Sequence, residues 1–243
     1  MFVVSSSRYS LAFRERIFCR HGGNNSTSDP QDFARQNLVA YIPPASNGGS
    51  QLDSSAGKGE PLNIIISGLS APEVLSNSGL IQWANSIGFA KECLGFHIGN
   101  PQTANLGDGR GWVNETAVIR ADYMNPLLGT CLESLTGGNH FRFWQQVTTN
   151  AFFLAASVEK NSSDHHDIVP NGYDLGRDQI VSAATSGPTT FGLLRYTTTV
   201  GWVNGLLQPG SQGINHDISI DGKVAVLTIV TQKIPHPIPL MAH

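Results

Sequence analysis

Leu62-Asn63-Ile64-Ile65-Ile66-Ser67-Gly68-Leu69-Ser70-Ala71-Pro72-Glu73-Val74 is the stretch from which the fold is read. Its first half is a β-branched run bounded by turn formers, the composition of a short buried strand. Its second half carries helix-start signals. Ser70 stands at an N-cap, Pro72 in the first turn and Glu73 at the third position of a capping box, with Leu69 and Val74 spaced as a hydrophobic staple. A strand running straight into a helix is expected, and Leu80, Ile81, Trp83, Ala84 and Ile87 continue a helical apolar face that Gly79 interrupts.

C-terminal to this unit, a long connection contains Gly99-Asn100-Pro101 and Gly107-Asp108-Gly109-Arg110-Gly111, and a strand is expected from Trp112 to Ile119. Phe141–Gln146 and Phe152–Val158 read as neighbouring strands across Thr148-Thr149-Asn150. Asp174 can cap a helix running to about Ala184, and Tyr196–Val203 is another strand. Ile214–Ile220 and Lys223–Val230 flank Asp221-Gly222, the signal of a two-residue hairpin. The order predicts an α+β fold, a mixed or antiparallel sheet with two or three helices packed on one face and a C-terminal β-hairpin. On the N-terminal side, residues 1–60 read as a variable, partly disordered leader, with the island Leu38–Ile42 as a possible added edge strand. Residues 61–243 then form a single domain.

Composition limits the function. Charged residues are only 14% of the chain and the net charge of -3 is scattered. Without a concentrated basic stripe the chain is not a nucleic-acid binder. No apolar run is long enough to span a membrane. Asn-x-Ser/Thr signals at Asn25, Asn114 and Asn161 point to a surface glycosylated in the secretory pathway. Met1–Ser7 is too short and polar for a secretory signal with its cleavage site, so either a signal has been removed or these signals are idle. Of the three cysteines, Cys93 and Cys131 lie in the patterned part of the chain and are the expected disulfide, leaving Cys19 over; three unpaired thiols are the alternative.

The densest polar constellation is Gly137-Gly138-Asn139-His140-Phe141-Arg142-Phe143-Trp144. Strand alternation puts His140, Arg142 and Trp144 on one face and both phenylalanines on the other, so a base, a cation and a large ring can share a cleft. Asn139, Trp112, Tyr123, His97 and Gln102 are further candidate substrate contacts, each a polar group beside apolar surface near a turn or strand edge. Asp164-His165-His166-Asp167, followed by Asp174, Arg177 and Asp178, offers either zinc chemistry or a polar loop clamped by Arg177 and Asp174. The adjacent histidines would point apart on an extended segment, so no metal is assigned and His166, Asp174, Arg177 and Asp178 are read as supporting residues. No nucleophile elbow, phosphate loop or dinucleotide fingerprint is present, and no cofactor is expected.

The run from Pro61 to Ala184 resembles the C-terminal domain of LssY-type bacterial membrane proteins, in which a His-x-Arg-x-Trp strand precedes a His…Asp…Arg-Asp segment. Asn139–Trp144 and His166–Asp178 carry that resemblance. The sequons and glycine-rich loops look more like secreted fungal relatives, some from biosynthetic clusters. The chain is similar in setting to cofactor-free cyclases of fungal meroterpenoid pathways, including hetero-Diels–Alderases. That resemblance implies a hydrophobic polyene or quinone-methide substrate, with His140 or Arg142 polarising an enone oxygen and Trp144, Trp112 and Tyr123 stacking on the polyene. Two other classes stand beside it: a metal-dependent hydrolase using His140, His165, His166 and Asp178, and a non-catalytic secreted protein that binds a glycan or small metabolite.

Overall fold

The computed structural model describes residues 39–235, except 56, 96–99, 126–127 and 165–166. Cys19, Asn25, Leu38, His97, His165 and His166 lie outside the described residues.

The Ile64–Ile66 run forms strand β1, the centre of a mixed eight-stranded sheet. The other members are β2 (Phe89–Lys91), β5 (Ala117–Ala121), β6 (Asn139–Gln145), β7 (Phe152–Val158), β8 (Thr189–Phe191), β9 (Leu194–Val203) and β10 (Val224–Lys233), in the order β2-β5-β6-β7-β1-β10-β9-β8. All neighbours are antiparallel except β1 and β10, which run parallel with Ile64 opposite Ala225. Two short strands, β3 (Thr103–Ala104) and β4 (Val113–Asn114), pair separately. Three α-helices complete the described elements: α1 (Asn77–Ser86), α2 (Gly129–Thr136) and α3 (Gly172–Thr185).

Both faces of the sheet are covered, which is why β1 is an unbroken apolar run rather than an alternating one. On one face Ile64, Ile66, Phe141, Phe143, Leu154 and Leu227 pack under Leu80, Trp83 and Ala84 of α1 and Ile180, Val181 and Ala184 of α3. On the other, Ile65, Trp144, Phe153 and Ala155 are covered by connections, through Leu62, Leu106, Leu207, Ile214 and Ile220. Two buried amides tie those connections down. Asn63 prolongs the ladder beyond β1: its Oδ1 accepts from Ala156 N at 3.0 Å and its Nδ2 donates to Ala156 O and Tyr173 O, both at 2.9 Å. Gln146 accepts from Ile42 N at 2.9 Å and donates to Ile42 O at 2.8 Å and Leu106 O at 2.9 Å.

The α+β class and mixed sheet are as expected, but the sheet is larger, since β2 and β8 carry too little pattern to be read in advance. No strand spans Ile214–Ile220. That segment holds a 3-10 turn at Asn215–Asp217, and β10 pairs with β9 instead. Gly222 takes the positive φ, 79°, expected of such a turn, but residues 221–223 form neither a turn nor a bend, and Asp221 is bonded to Arg177 rather than closing a hairpin. Helix α1 starts six residues later than the capping box implies. Ser70 Oγ accepts from Ile229 N at 3.1 Å and so serves the sheet, and Ser76 caps the helix through Gly79 N at 3.1 Å. Gly79 allows this, because a Cβ there would collide with the Glu73 carbonyl oxygen. Residues 39–42 form no strand; the Gln146 amide holds Ile42 in the place where an added edge strand was expected.

Candidate functional site

In β6 the residues alternate between faces, and His140 and Arg142 point away from the face covered by α1 and the apolar side of α3, beside Arg120 and Val118 of β5, their register partners. Polar side chains rather than apolar ones cover this part of the sheet. Glu133 comes from α2, Glu159 follows β7, Glu60 and Asp53 come from the N-terminal connection, Glu115 precedes β5, and Glu92 follows β2. A disulfide between Cys93 and Cys131 ties the 3-10 turn after β2 to α2, with Glu92 next to one cysteine and Glu133 two residues past the other. Both carboxylates therefore meet Arg120. Gly138 permits the close fit, since a Cβ there would meet Glu133 Cγ at 2.8 Å and collide with the Tyr123 hydroxyl.

Arg120 Nη1 donates to Glu133 Oε2 at 2.9 Å and Glu159 Oε2 at 3.3 Å, and its Nε lies 3.5 Å from Glu92 Oε1. Arg142 donates to Glu60 Oε2 at 3.3 Å and lies 3.0 Å from Glu115 Oε2. It also donates to His140 Nε2 at 3.0 Å. A guanidinium can only donate, so Nε2 accepts there and the ring carries its proton on Nδ1. Glu159 Oε1 lies 3.4 Å from the same nitrogen, ready to pair with the ring if it gains a proton. His140 is thus the link between the two arginine clusters, and it is wholly buried.

Carboxylates outnumber cations here, and burial decides their protonation. Desolvation pushes Glu133 up to about 7 against the pull of Arg120, because Glu159 and Glu92 share that guanidinium and add their repulsion. Asp53 is pushed well above the ordinary carboxyl range by burial and by its neighbour Glu60. Both arginines lose by desolvation but gain more from the surrounding carboxylates, so their protons are held more tightly than usual. The network therefore keeps exchangeable protons on carboxyls at neutral pH and fixed positive charge on its arginines.

Glu133, His140 and Glu159 each bring one donor atom within 4.8 Å of the others, the sole metal-sized group among the described residues. Their lone pairs already face Arg120 and Arg142, and a dication would sit against two fixed positive charges. Asp178 lies on α3 in a separate network with Arg177, so the hydrolase constellation of His140 with Asp178 is not brought together.

The network reaches solvent at a cleft of about 340 Å³ lined by Lys91, Glu92, Gly95, Pro101, Glu115, Thr116, Ala117 and Val118. Its two carboxylates are each backed by an arginine, Glu92 by Arg120 and Glu115 by Arg142.

The other expected site residues take different places. Trp144 is a core residue whose Nε1 donates to Val113 O at 3.1 Å. Asn139 stitches β6 to α3 through Gly176 O at 3.0 Å and Gln179 Oε1 at 2.9 Å. Tyr123 donates to Gly137 O at 2.7 Å, covering the end of α2, and Trp112 is exposed beside β4. Gln102 accepts through its backbone carbonyl from Glu115 N at 2.8 Å. Asp174, Arg177 and Asp178 form one cluster with Asp221, which pins the return of the 204–223 connection to α3. Asn114 is exposed on β4, and Asn161 opens a turn in which its Oδ1 accepts from Asp164 N at 3.1 Å. Arg120, Glu133 and Glu159, which surround His140, were not anticipated. The one signal for Arg120 is the alternation of Val118-Ile119-Arg120, cut short by ending the strand at Ile119.

No family model, curated protein or solved structure matches the chain.

Proposed function

We propose that the chain is a cofactor-independent acid–base enzyme of the secretory pathway that cyclises a hydrophobic enone or quinone-methide metabolite in a hetero-Diels–Alder-type reaction. The observation that carries this reading is the β5 cleft, lined by Ala117, Val118 and Pro101 together with two carboxylates, each wired to a largely buried arginine. Its volume falls within the range of small-molecule sites. In such a cyclisation one C–C and one C–O bond form at the expense of π bonds, with no net proton or electron, so a site need only fold the substrate and stabilise charge on the carbonyl oxygen. Lys91 and Thr116 are the donors lining the cleft. Where the quinone methide is made in place from a hydroxymethyl precursor, water leaves with one proton and a phenolic proton is removed. Glu92 or Glu115 takes that phenolic proton, and Lys91 in the same cleft supplies the one that leaves with the hydroxyl. The disulfide and the exposed Asn114 agree with maturation in an oxidising lumen. Among the described residues no helix is long and apolar enough to cross a membrane.

The test uses protein secreted from a eukaryotic host, a hydroxymethyl quinone-methide precursor and a sesquiterpene alkene, with adduct rate and diastereomer ratio followed by chromatography and mass spectrometry. Acceleration over the spontaneous reaction with a single diastereomer is expected, and Glu115→Gln and Lys91→Met each lower the rate by about 10²-fold. Saturable binding of either reactant with the spontaneous rate and ratio unchanged replaces the enzyme with a binding protein.

A further inference from the structure

The molecule has a second cleft, of about 490 Å³, between α3 and the β9–β10 end of the sheet. It is independent of the cleft beside β5. Its lining is Arg177, Asp178, Val181, Ser182, Trp202, Asn204, Asp221 and Lys223, of which three features matter. Trp202 is 45% exposed, and the Arg177 guanidinium sits 5.1 Å from its ring centroid. Arg177 is itself immobilised: Nε donates to Asp178 at 2.8 Å, Nη1 to Asp221 at 2.7 Å and to Lys223 O at 2.9 Å, and Nη2 to the other Asp221 oxygen at 3.1 Å. The guanidinium therefore takes one face of the ring, and the exposed remainder of Trp202 is what a ligand can meet. Third, among the described residues neither the Trp202 indole N–H nor the Asn204 amide has a protein hydrogen-bond partner, although both line the cleft.

We infer that this cleft binds a neutral saccharide, one pyranose ring lying on Trp202 with its hydroxyls met by Asn204, Asp178 and Lys223. A large exposed ring next to fixed polar groups suits a ligand that has one apolar C–H face and a rim of hydroxyls. An organic cation fits less well, because it would require several rings around it rather than one, and Arg177 and Lys223 already share the cleft with the aspartates. An anion would face Asp178 and Asp221. The saccharide can come from a free polysaccharide or from the N-linked glycan of another glycoprotein, a second copy of this chain included.

The experiment titrates ¹⁵N-labelled protein with the hexasaccharides of cellulose, chitin, β-1,3-glucan and α-mannan, and separately with a released high-mannose N-glycan, following the Trp202 indole N–H resonance. That resonance is assigned by its loss in Trp202→Phe. Saturable movement of this signal by a saccharide is the expected result, with an affinity, read in the variants from the Asn204 side-chain amide resonances that both substitutions leave in place, weakened at least ~10-fold in Trp202→Ala and kept within a few-fold in Trp202→Phe. A response to the N-glycan alone assigns the source to glycoproteins, and a response to a hexasaccharide assigns it to a polysaccharide. Retention of full affinity in Trp202→Ala, or no movement with any of the five ligands at millimolar concentration, overturns the assignment. Circular dichroism and the other indole signals establish that each variant is folded.

Discussion

Arg120 and Arg177 each hold three carboxylates: Glu92, Glu133 and Glu159 around the first, Asp174, Asp178 and Asp221 around the second. The charges match, yet the outcomes differ. Beside Arg120 burial dominates, and Glu133 is pushed up to about 7. Beside Arg177 burial also raises Asp174, but at Asp221 the hydrogen bonds from Arg177 and from Lys223 N outweigh it and hold the carboxyl below its usual range. Asp178 and Asp221 beside Arg177 reach water, whereas Glu133 and Glu159 beside Arg120 are almost closed off from it and Glu92 alone of the three lines a cleft. In the dry place burial outweighs the guanidinium at Glu133, which holds its proton more tightly than an ordinary carboxyl. In the wetter place the guanidinium wins at Asp221, and the grouping acts as a clasp between α3 and a loop.

The largest separation between the two regions is expected on removing the cation. Arg120→Met leaves buried acids without their counter-charge and should lower unfolding free energy by about 3–5 kcal/mol in urea titrations. Next is the disulfide. Cys93→Ser with Cys131→Ser opens a loop of separation 38 and should cost about 2–4 kcal/mol. It should also shift amide resonances around Glu92 and Glu133 while leaving the Trp202 indole signal in place. Arg177→Met should cost less, about 1–3 kcal/mol, because its aspartates regain water. A cost equal to that of Arg120→Met would break the distinction between dry and wet clusters.

The smallest effect has the clearest sign. Glu133 keeps its proton in the folded state up to about pH 7 and loses it near its ordinary value, 4.5, when unfolded. Between these values the folded state binds more protons, so the Glu133 contribution to stability is greatest below pH 4.5 and is lost as pH rises to about 7. Asp221 has the opposite sense: its contribution is present above its unfolded value of 3.8 and lost as pH falls through its lower folded value. Unfolding midpoints measured from pH 3 to 8 should flatten in the upper window for Glu133→Gln and in the lower window for Asp221→Asn. The reverse assignment would place the protonated acid in the wrong region.

Much of the sheet was legible because it depends on local pattern. Phe152–Val158 and the alternation of Asn139–Trp144 specify strands from their own residues. Strands β2 and β8 have three residues each and exist only because a neighbour accepts them. The hairpin expected at Asp221-Gly222 shows the same limit from the other side. A strong local turn signal gave Gly222 its positive φ but no turn, since Arg177 and Asp174 bonded Asp221 and the first arm never became a strand. For the site, His140 and Arg142 stood out as polar residues in an apolar strand. Their partners could not be seen, because Glu60, Glu115, Glu133 and Glu159 lie far from one another in sequence and each alone reads as an ordinary surface acid.

Strand β1 sets a condition on how the molecule is made. Ile64–Ile66 finds one neighbour in β7 and the other in β10, at Ala225–Leu227. During synthesis the central strand therefore waits, apolar on both faces and paired along one edge, until Val224–Lys233, some 160 residues further on, has left the ribosome. Closing a parallel pair over so long an interval is slow, and the open edge is a template for pairing with other chains. Nascent protein should depend on chaperones until β10 docks, and slower elongation just before Val224 should raise the fraction that aggregates.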